Sequence, residues 1–148
     1  MGAVLFGIKR YNGFFERKRL LESILDGSEK IRETIRCTCS PLHESFLWGG
    51  EFFSLASEKI KKGKLPEGAV NETADGFNFL TNEDRRMIGR FAKGLNAEDC
   101  KGQLSNLDIF IKDIKEAVSN ASKELDTKGK LYVKGSILTA AAVVLLLV

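Results

Sequence analysis

The last third of the chain carries its longest unbroken hydrophobic pattern. Leu104, Leu107, Ile111, Ile114, Val118, Ala121 and Leu125 follow one another at steps of three and four. A period near 3.5 predicts one face of a long helix laid against partner helices over several turns. No proline interrupts the segment from Ala97 to Val148, and from Ile137 onward only Thr139 is not apolar. Counting back to Leu131 gives eighteen residues, about 27 Å of helix and close to the ~20 residues of a bilayer-spanning helix. A buried terminal helix would be the ordinary alternative for the clean run alone. Val143 to Val148, however, is apolar on every side and has no face to offer water. The expectation is a C-terminal membrane segment over 131–148, with Lys134 snorkelling and Tyr132 at the headgroups.

A second 3.5-period seam lies between Tyr11 and Arg36: Phe14, Leu21, Ile24, Ile31 and Ile35, with Ser28 at the weak position and Leu20 and Leu25 widening the stripe. Gly27 inside this helix costs about 1 kcal/mol against alanine. Ser40-Pro41 predicts the next helix start, with a break at Gly49-Gly50 and a stop at Gly63 after Lys59, Lys61 and Lys62. A short helix follows from Leu65-Pro66-Glu67 through Ala74, then a turn at Asp75-Gly76. Thr81-Asn82-Glu83-Asp84 reads as a capping arrangement for a helix with Met87, Ile88, Phe91 and Leu95 on its apolar face. The last helix is expected from Ala97, with Glu98 and Asp99 in its first turn. No strand alternation of useful length and no repeat occurs. The reading is all-α: an elongated antiparallel helical bundle whose long C-terminal helix runs into a membrane segment. Residues 1–10 form a short apolar membrane-proximal piece, 11–130 a helical domain and 131–148 an anchor. The middle helices are expected at the end of the bundle far from the membrane.

Charge sharpens this picture. The net charge of +3 argues against a nucleic-acid binder. Lys9, Arg10, Arg17, Lys18 and Arg19 crowd one apolar end, and Lys123, Lys128, Lys130 and Lys134 precede the other. Under the positive-inside rule both ends point at a membrane from its cytoplasmic side. The apolar run from Gly2 to Ile8 has its positive charge after it, unlike a secretory signal. Three cysteines, two of them as Cys37-Thr38-Cys39, make no disulfide framework and fit a reducing compartment.

Candidate chemistry is thin. Cys37, Cys39, His43 and Cys100 are zinc-ligand types, but a C-x-C beside a helix start matches no usual paired spacing. His43, Glu44 and Ser45 are adjacent on a helix and point in different directions, so they are no triad. No phosphate loop is present. Asp84 with Asp99, or Glu83 with Glu98, sits where helix dipoles favour acids anyway. No catalytic residue, metal or cofactor is assigned. Phe46, Trp48, Phe52 and Phe53 have two readings: core packing by burial tendency, or a partner-binding patch, since aromatics anchor interfaces.

Several segments resemble a known family. Thr38-Cys39-Ser40-Pro41-Leu42-His43-Glu44-Ser45-Phe46 is similar to the T-P-L-x-E-A-F element of stage III sporulation protein AB, with two residues inserted. The stretch from Ile88 to Asp99 resembles the family's F-G-x-x-L-G-x-x-D segment, and Gln103 falls on a recurring glutamine. Lys128-Gly129-Lys130-Leu131-Tyr132 with Gly135 and the apolar tail resembles its K-x-K-x-Y ending. The order holds from about residue 10 to the end. The family begins with a full apolar helix, whereas here only Gly2 to Ile8 is apolar. The resemblance implies a mother-cell membrane platform of the sporulation channel, similar to the cytoplasmic domains of type II secretion platform proteins. It implies a cytoplasmic ATPase and other stage III channel proteins as partners, membrane lipid around the anchor, and a non-enzymatic role. A homo-oligomer is a further expectation, and the Leu104–Leu125 seam fits a partner helix either within the chain or in a second copy. The reading from another class is a tail-anchored or soluble helical adaptor that oligomerises through that seam, unrelated to sporulation.

Overall fold

A computed structural model describes residues 2–97 and 99–148, and among these no strand occurs. Helix α1 spans Gly2–Thr38, a 3₁₀ segment spans Leu42–Trp48, and α2 spans Glu51–Lys61. Helix α3 spans Pro66–Asp75, α4 Asn82–Lys93 and α5 Cys100–Glu124. A π turn over Leu125–Gly129 joins α5 to α6, Lys130–Leu147, without a break. The all-α architecture with a long C-terminal helix agrees with the sequence reading.

The two long arms run antiparallel in a constant register. Gly7 lies against Ser136, and Gly129 against Tyr11 and Phe14. Arg17 meets Glu124, Lys115 meets Glu29, and Arg32 meets Asp108. Each step up α1 is matched by an equal step down α5 and α6. The two seams are therefore partners within one chain. Leu21, Ile24, Ile31 and Ile35 of α1 are buried, as are Leu107, Ile111, Ile114, Ala121 and Leu125, while Leu104 and Val118 are half-buried. Ser28, the weak position, is buried and donates its hydroxyl to the Ile24 carbonyl (2.7 Å), which satisfies it inside the helix.

The middle helices do not cap the far end as the sequence reading had them. They lie along the side of the pair. Asp84, near the start of α4, touches Arg17 low on α1. Phe91 stacks on Phe110 of α5, with centroids 4.2 Å apart, and Asn106 donates to the Phe91 carbonyl (3.0 Å). A chain of rings continues inward through Phe53, Phe46 and Phe52. The segment opened by Ser40-Pro41 is a 3₁₀ helix with Pro41 at its cap. It folds back along α1 so closely that a methyl group on Gly27 would overlap the Gly49 carbonyl. That approach is why α1 tolerates a glycine in its interior.

Other starts and stops follow the sequence closely. Pro66 opens α3, Gly63 adopts φ 96° after α2, and Thr81 with Asp84 forms a reciprocal capping box on α4. The expected start of the last helix at Ala97 moves to Cys100, because Asp99 is its cap and accepts the Gly102 N–H (3.1 Å). Glu98 lies outside the described residues. Helices run unbroken across residue 10 and across residue 130, so the apolar ends are extensions of the bundle's own arms.

Alanine is the better helix former by about 1 kcal/mol, yet Gly27→Ala is expected to lower stability. Overpacking against backbone typically costs about 1–3 kcal/mol. Thermal unfolding of the full chain in detergent, followed by circular dichroism, checks the sign.

Candidate functional site

The apolar end of the helix pair is built from α6 and the first turns of α1. No side chain of α6 is buried. Cys100–Leu147 forms one helix long and apolar enough to cross a membrane, by length and composition. Leu5, Phe6 and Ile8 are exposed beside it, as are Leu131, Leu138 and the run from Val143 to Val148. Val133, Ser136 and Ala140 are half-buried on the face turned to α1. Above this band, Phe14 stacks on Tyr132 with centroids 6.1 Å apart. Lys9, Arg10, Lys128, Lys130 and Lys134 are exposed around it. The Arg10 guanidinium lies over the Phe6 ring, 5.5 Å from its centroid.

Arg17 does not belong to that exposed ring. It is 8% exposed and turned inward between α1, α4 and α5. Its Nε donates to Asp84 Oδ2 (2.7 Å) and its Nη2 to Asp84 Oδ1 (3.0 Å), a two-pronged pair. Nη1 donates to Glu124 Oε2 (2.8 Å). Asp84, 2% exposed, also accepts the Thr81 N–H (3.0 Å), while its own N–H donates to Thr81 Oγ1 (3.1 Å). One carboxylate thus caps α4 and ties it to α1. Burial opposes ionisation of Asp84, but the hydrogen bonds from Arg17 and Thr81 outweigh it and hold the carboxyl below its ordinary range. The same contact, against desolvation, pushes the Arg17 guanidinium up. The lost surface cation and the paired Asp84 both escape a sequence reading. Only the capping motif at Thr81–Asp84 signalled that the aspartate had a fixed place.

Of the four aromatic candidates, the structure buries Phe46, Phe52 and Phe53 and leaves Trp48 68% exposed. The three phenylalanines pack the core, so they face no partner; the chain of rings described above occupies them. Trp48 lies on the surface beside Leu47, also exposed, near Asp26, Glu29, Lys30 and Glu33 of α1. Leu104, Leu107, Ile111, Ile114, Val118 and Leu125 all turn toward the chain's own core. Among the described residues no group of three or more metal-ligand side chains converges. The residues that suggested kinship sit at helix junctions. Leu42 and Phe46 anchor the 3₁₀ segment, Asp99 caps α5, and the Gln103 amide donates to the Ala97 carbonyl (3.1 Å).

The stage III sporulation protein AB family matches residues 1–148, the whole chain. The chain belongs to that family. A solved structure of a stage III sporulation protein AB superposes with a TM-score of 0.62 at 15% identity, covering 74% of this chain and 96% of that one. At that identity the likeness speaks for the fold. A comparison with curated proteins finds no match. Family and fold together make this a sporulation protein.

The ion pair generates a test in two parts. Arg17→Met is expected to destabilise the full chain by about 3–5 kcal/mol, since it strands a buried carboxylate. Arg17→Met with Asp84→Asn is expected to recover most of that loss. The folded Asp84 pKa lies below its ordinary value of 3.8. Its contribution is therefore complete above about pH 4 and is lost as pH falls through the folded pKa. Melting curves taken down the acid range should show that loss in the native chain and not in Asp84→Asn.

Proposed function

We propose that the protein is a non-enzymatic membrane platform of the sporulation channel, anchored through α6 with the first turns of α1 beside it. Its helical domain stands on the cytoplasmic, mother-cell side and links a cytoplasmic ATPase to the other stage III channel proteins. The observation that carries the anchoring is the end of α6: Val143 to Val148 is apolar on every side and exposed, in a helix with no fully buried side chain that continues the packed α5. Orientation rests on the exposed lysines and Arg10 around the base of that helix. The ATPase follows from family kinship. On the domain itself, Leu47 and Trp48 offer an exposed apolar pair bordered by both acids and a lysine, the composition of an interface anchor with a polar rim. A homo-oligomeric adaptor working through the Leu104–Leu125 seam is disfavoured, because α1 already covers that seam.

Two outcomes are expected. Removing residues 131–148 moves the protein from the membrane pellet to the soluble fraction of a cell lysate. Trp48→Ser with Leu47→Ser lowers retention of the cytoplasmic ATPase by the full detergent-extracted chain by about 30-fold, or roughly 2 kcal/mol for an interface anchor. The melting temperature should stay within error, because both side chains are exposed. Unchanged retention would move the docking face elsewhere.

A further inference from the structure

Two cavities follow one another along α1, and Phe6 lines both. The upper one, about 570 Å³, lies between α1 and the turn that joins α3 to α4. Lys9, Arg10, Gly13 and Phe14 line it from α1, and Asn78 and Phe79 from the turn. The Arg17–Glu124 pair closes its base. The lower one, about 540 Å³, lies between Ala3 and Phe6 of α1 and Leu131, Gly135 and Thr139 of α6, and Lys128 also lines it. Phe14 stacks on Tyr132, where the apolar run begins. The upper cavity therefore stands at the level of headgroups and the lower one at the level of acyl chains.

Each cavity opens where a helix lacks a side chain. Gly13 is interior to α1 and Gly135 to α6, and each costs its helix stability against alanine. Gly27 is accounted for by the Gly49 backbone that approaches it. A Cβ on Gly13 or Gly135 would instead meet nothing within 4 Å. No packing contact requires these two glycines, and the space they leave belongs to the cavities. The chemistry of the walls differs between the two. In the upper cavity Lys9 and Arg10 are exposed, and among the described residues they enter no salt bridge. Asn78 adds an amide donor. The acid at the base, Glu124, is already engaged by Arg17 Nη1 (2.8 Å) and lies 3.7 Å from Lys128. In the lower cavity the Thr139 hydroxyl donates to the Gly135 carbonyl (2.9 Å) and the Ser136 hydroxyl to the Tyr132 carbonyl (2.7 Å). Both hydroxyls are turned back on their own helix, so the wall suits hydrocarbon.

We propose that this flank holds one anionic phospholipid, its phosphate against Lys9 and Arg10 and an acyl chain along Gly135 in the lower cavity. The inference rests on the anchoring proposed above, which brings the cavities to the membrane. Charge selects the headgroup, because a basic pocket beside a membrane helix attracts acidic lipid. A zwitterionic lipid would bring its own ammonium against Lys9 and Arg10. The acyl chain distinguishes this ligand from free phosphate. On the opposite flank Lys130 and Lys134 lie beside Ile8, Tyr11 and Val133, with no turn walling them in. That flank supplies the control.

The full chain is placed in phosphatidylcholine nanodiscs, and separately titrated in detergent with phosphatidylglycerol or phosphatidylcholine. Native mass spectrometry counts the bound lipid. One saturable phosphatidylglycerol is expected, held about 30-fold more tightly than phosphatidylcholine, the attraction of two cations. Gly13→Leu should weaken phosphatidylglycerol binding by about 10-fold or more, since the new side chain fills the cavity. It should melt no lower than the native chain. Lys9→Gln with Arg10→Gln should bring the two lipids level. Lys130→Gln with Lys134→Gln removes the same charge from the opposite flank and should leave the preference intact. Inorganic phosphate should not displace the lipid. The proposal is overturned by equal binding of the two lipids, by undiminished binding in Gly13→Leu, or by displacement with phosphate. It is overturned too if the Lys130 and Lys134 changes abolish the preference, which would mark a diffuse basic belt. A chain that stays out of the nanodiscs would sink the anchoring and this site together. A chain that enters them yet shows no lipid preference in detergent would remove the site alone.

Discussion

A guanidinium withdrawn from water needs its charge answered and its N–H groups engaged. In this chain Arg17 meets both needs with carboxylates from helices far away in sequence, Asp84 on α4 and Glu124 on α5. The geometry leaves little freedom. If α1 slid by one residue, the paired bonds to Asp84 would break, and so would the alignment that sets Lys115 against Glu29 and Arg32 against Asp108. Hydrophobic seams alone tolerate such slips poorly but do not forbid them, because one isoleucine resembles the next. The ion pair distinguishes one register from its neighbours. Through the Thr81 cap it also decides where α4 begins. The side helices, the tip and the apolar end all inherit their positions from that choice.

What could be read in advance was whatever repeats or punctuates. The two seams, the prolines at Pro41 and Pro66, the stop at Gly63 and the Thr81 box are local patterns, and each appears in the fold where local physics puts it. Kinship was legible because its scattered residues mark helix junctions, where spacing is constrained. Arg17 was not legible. A basic residue near an apolar terminus looks like a surface cation, and nothing local announces a partner 67 residues away. The aromatic cluster was ambiguous for a related reason: phenylalanines that fill a core and phenylalanines that meet a partner have the same composition. Burial separated them, taking Phe46, Phe52 and Phe53 inward and leaving Trp48 outside. The placement of the middle helices was missed because it depends on a backbone-to-backbone approach, Gly27 against Gly49, which reads in sequence as nothing more than two glycines.

The packed and apolar parts of the long C-terminal helix share one axis, but they do not share one phase. Up to Leu125 the inward positions of α5 keep the 3.5-residue beat, and the next in line would be Lys128. The π turn accommodates one extra residue. The inward position becomes Gly129, which is buried against Tyr11 and Phe14, and Lys128 swings out to solvent. Every later inward position is displaced by the same single step, to Val133, Ser136 and Ala140. One residue of an α-helix is about 100° of rotation. The turn therefore works as an angular offset between the two halves of the chain. It sets which meridian of α6 meets α1 and which meets its surroundings, independently of how α5 packs. A sequence change of one residue's length within 125–129 would leave the helical bundle's contacts intact and rotate the whole apolar cylinder beneath it.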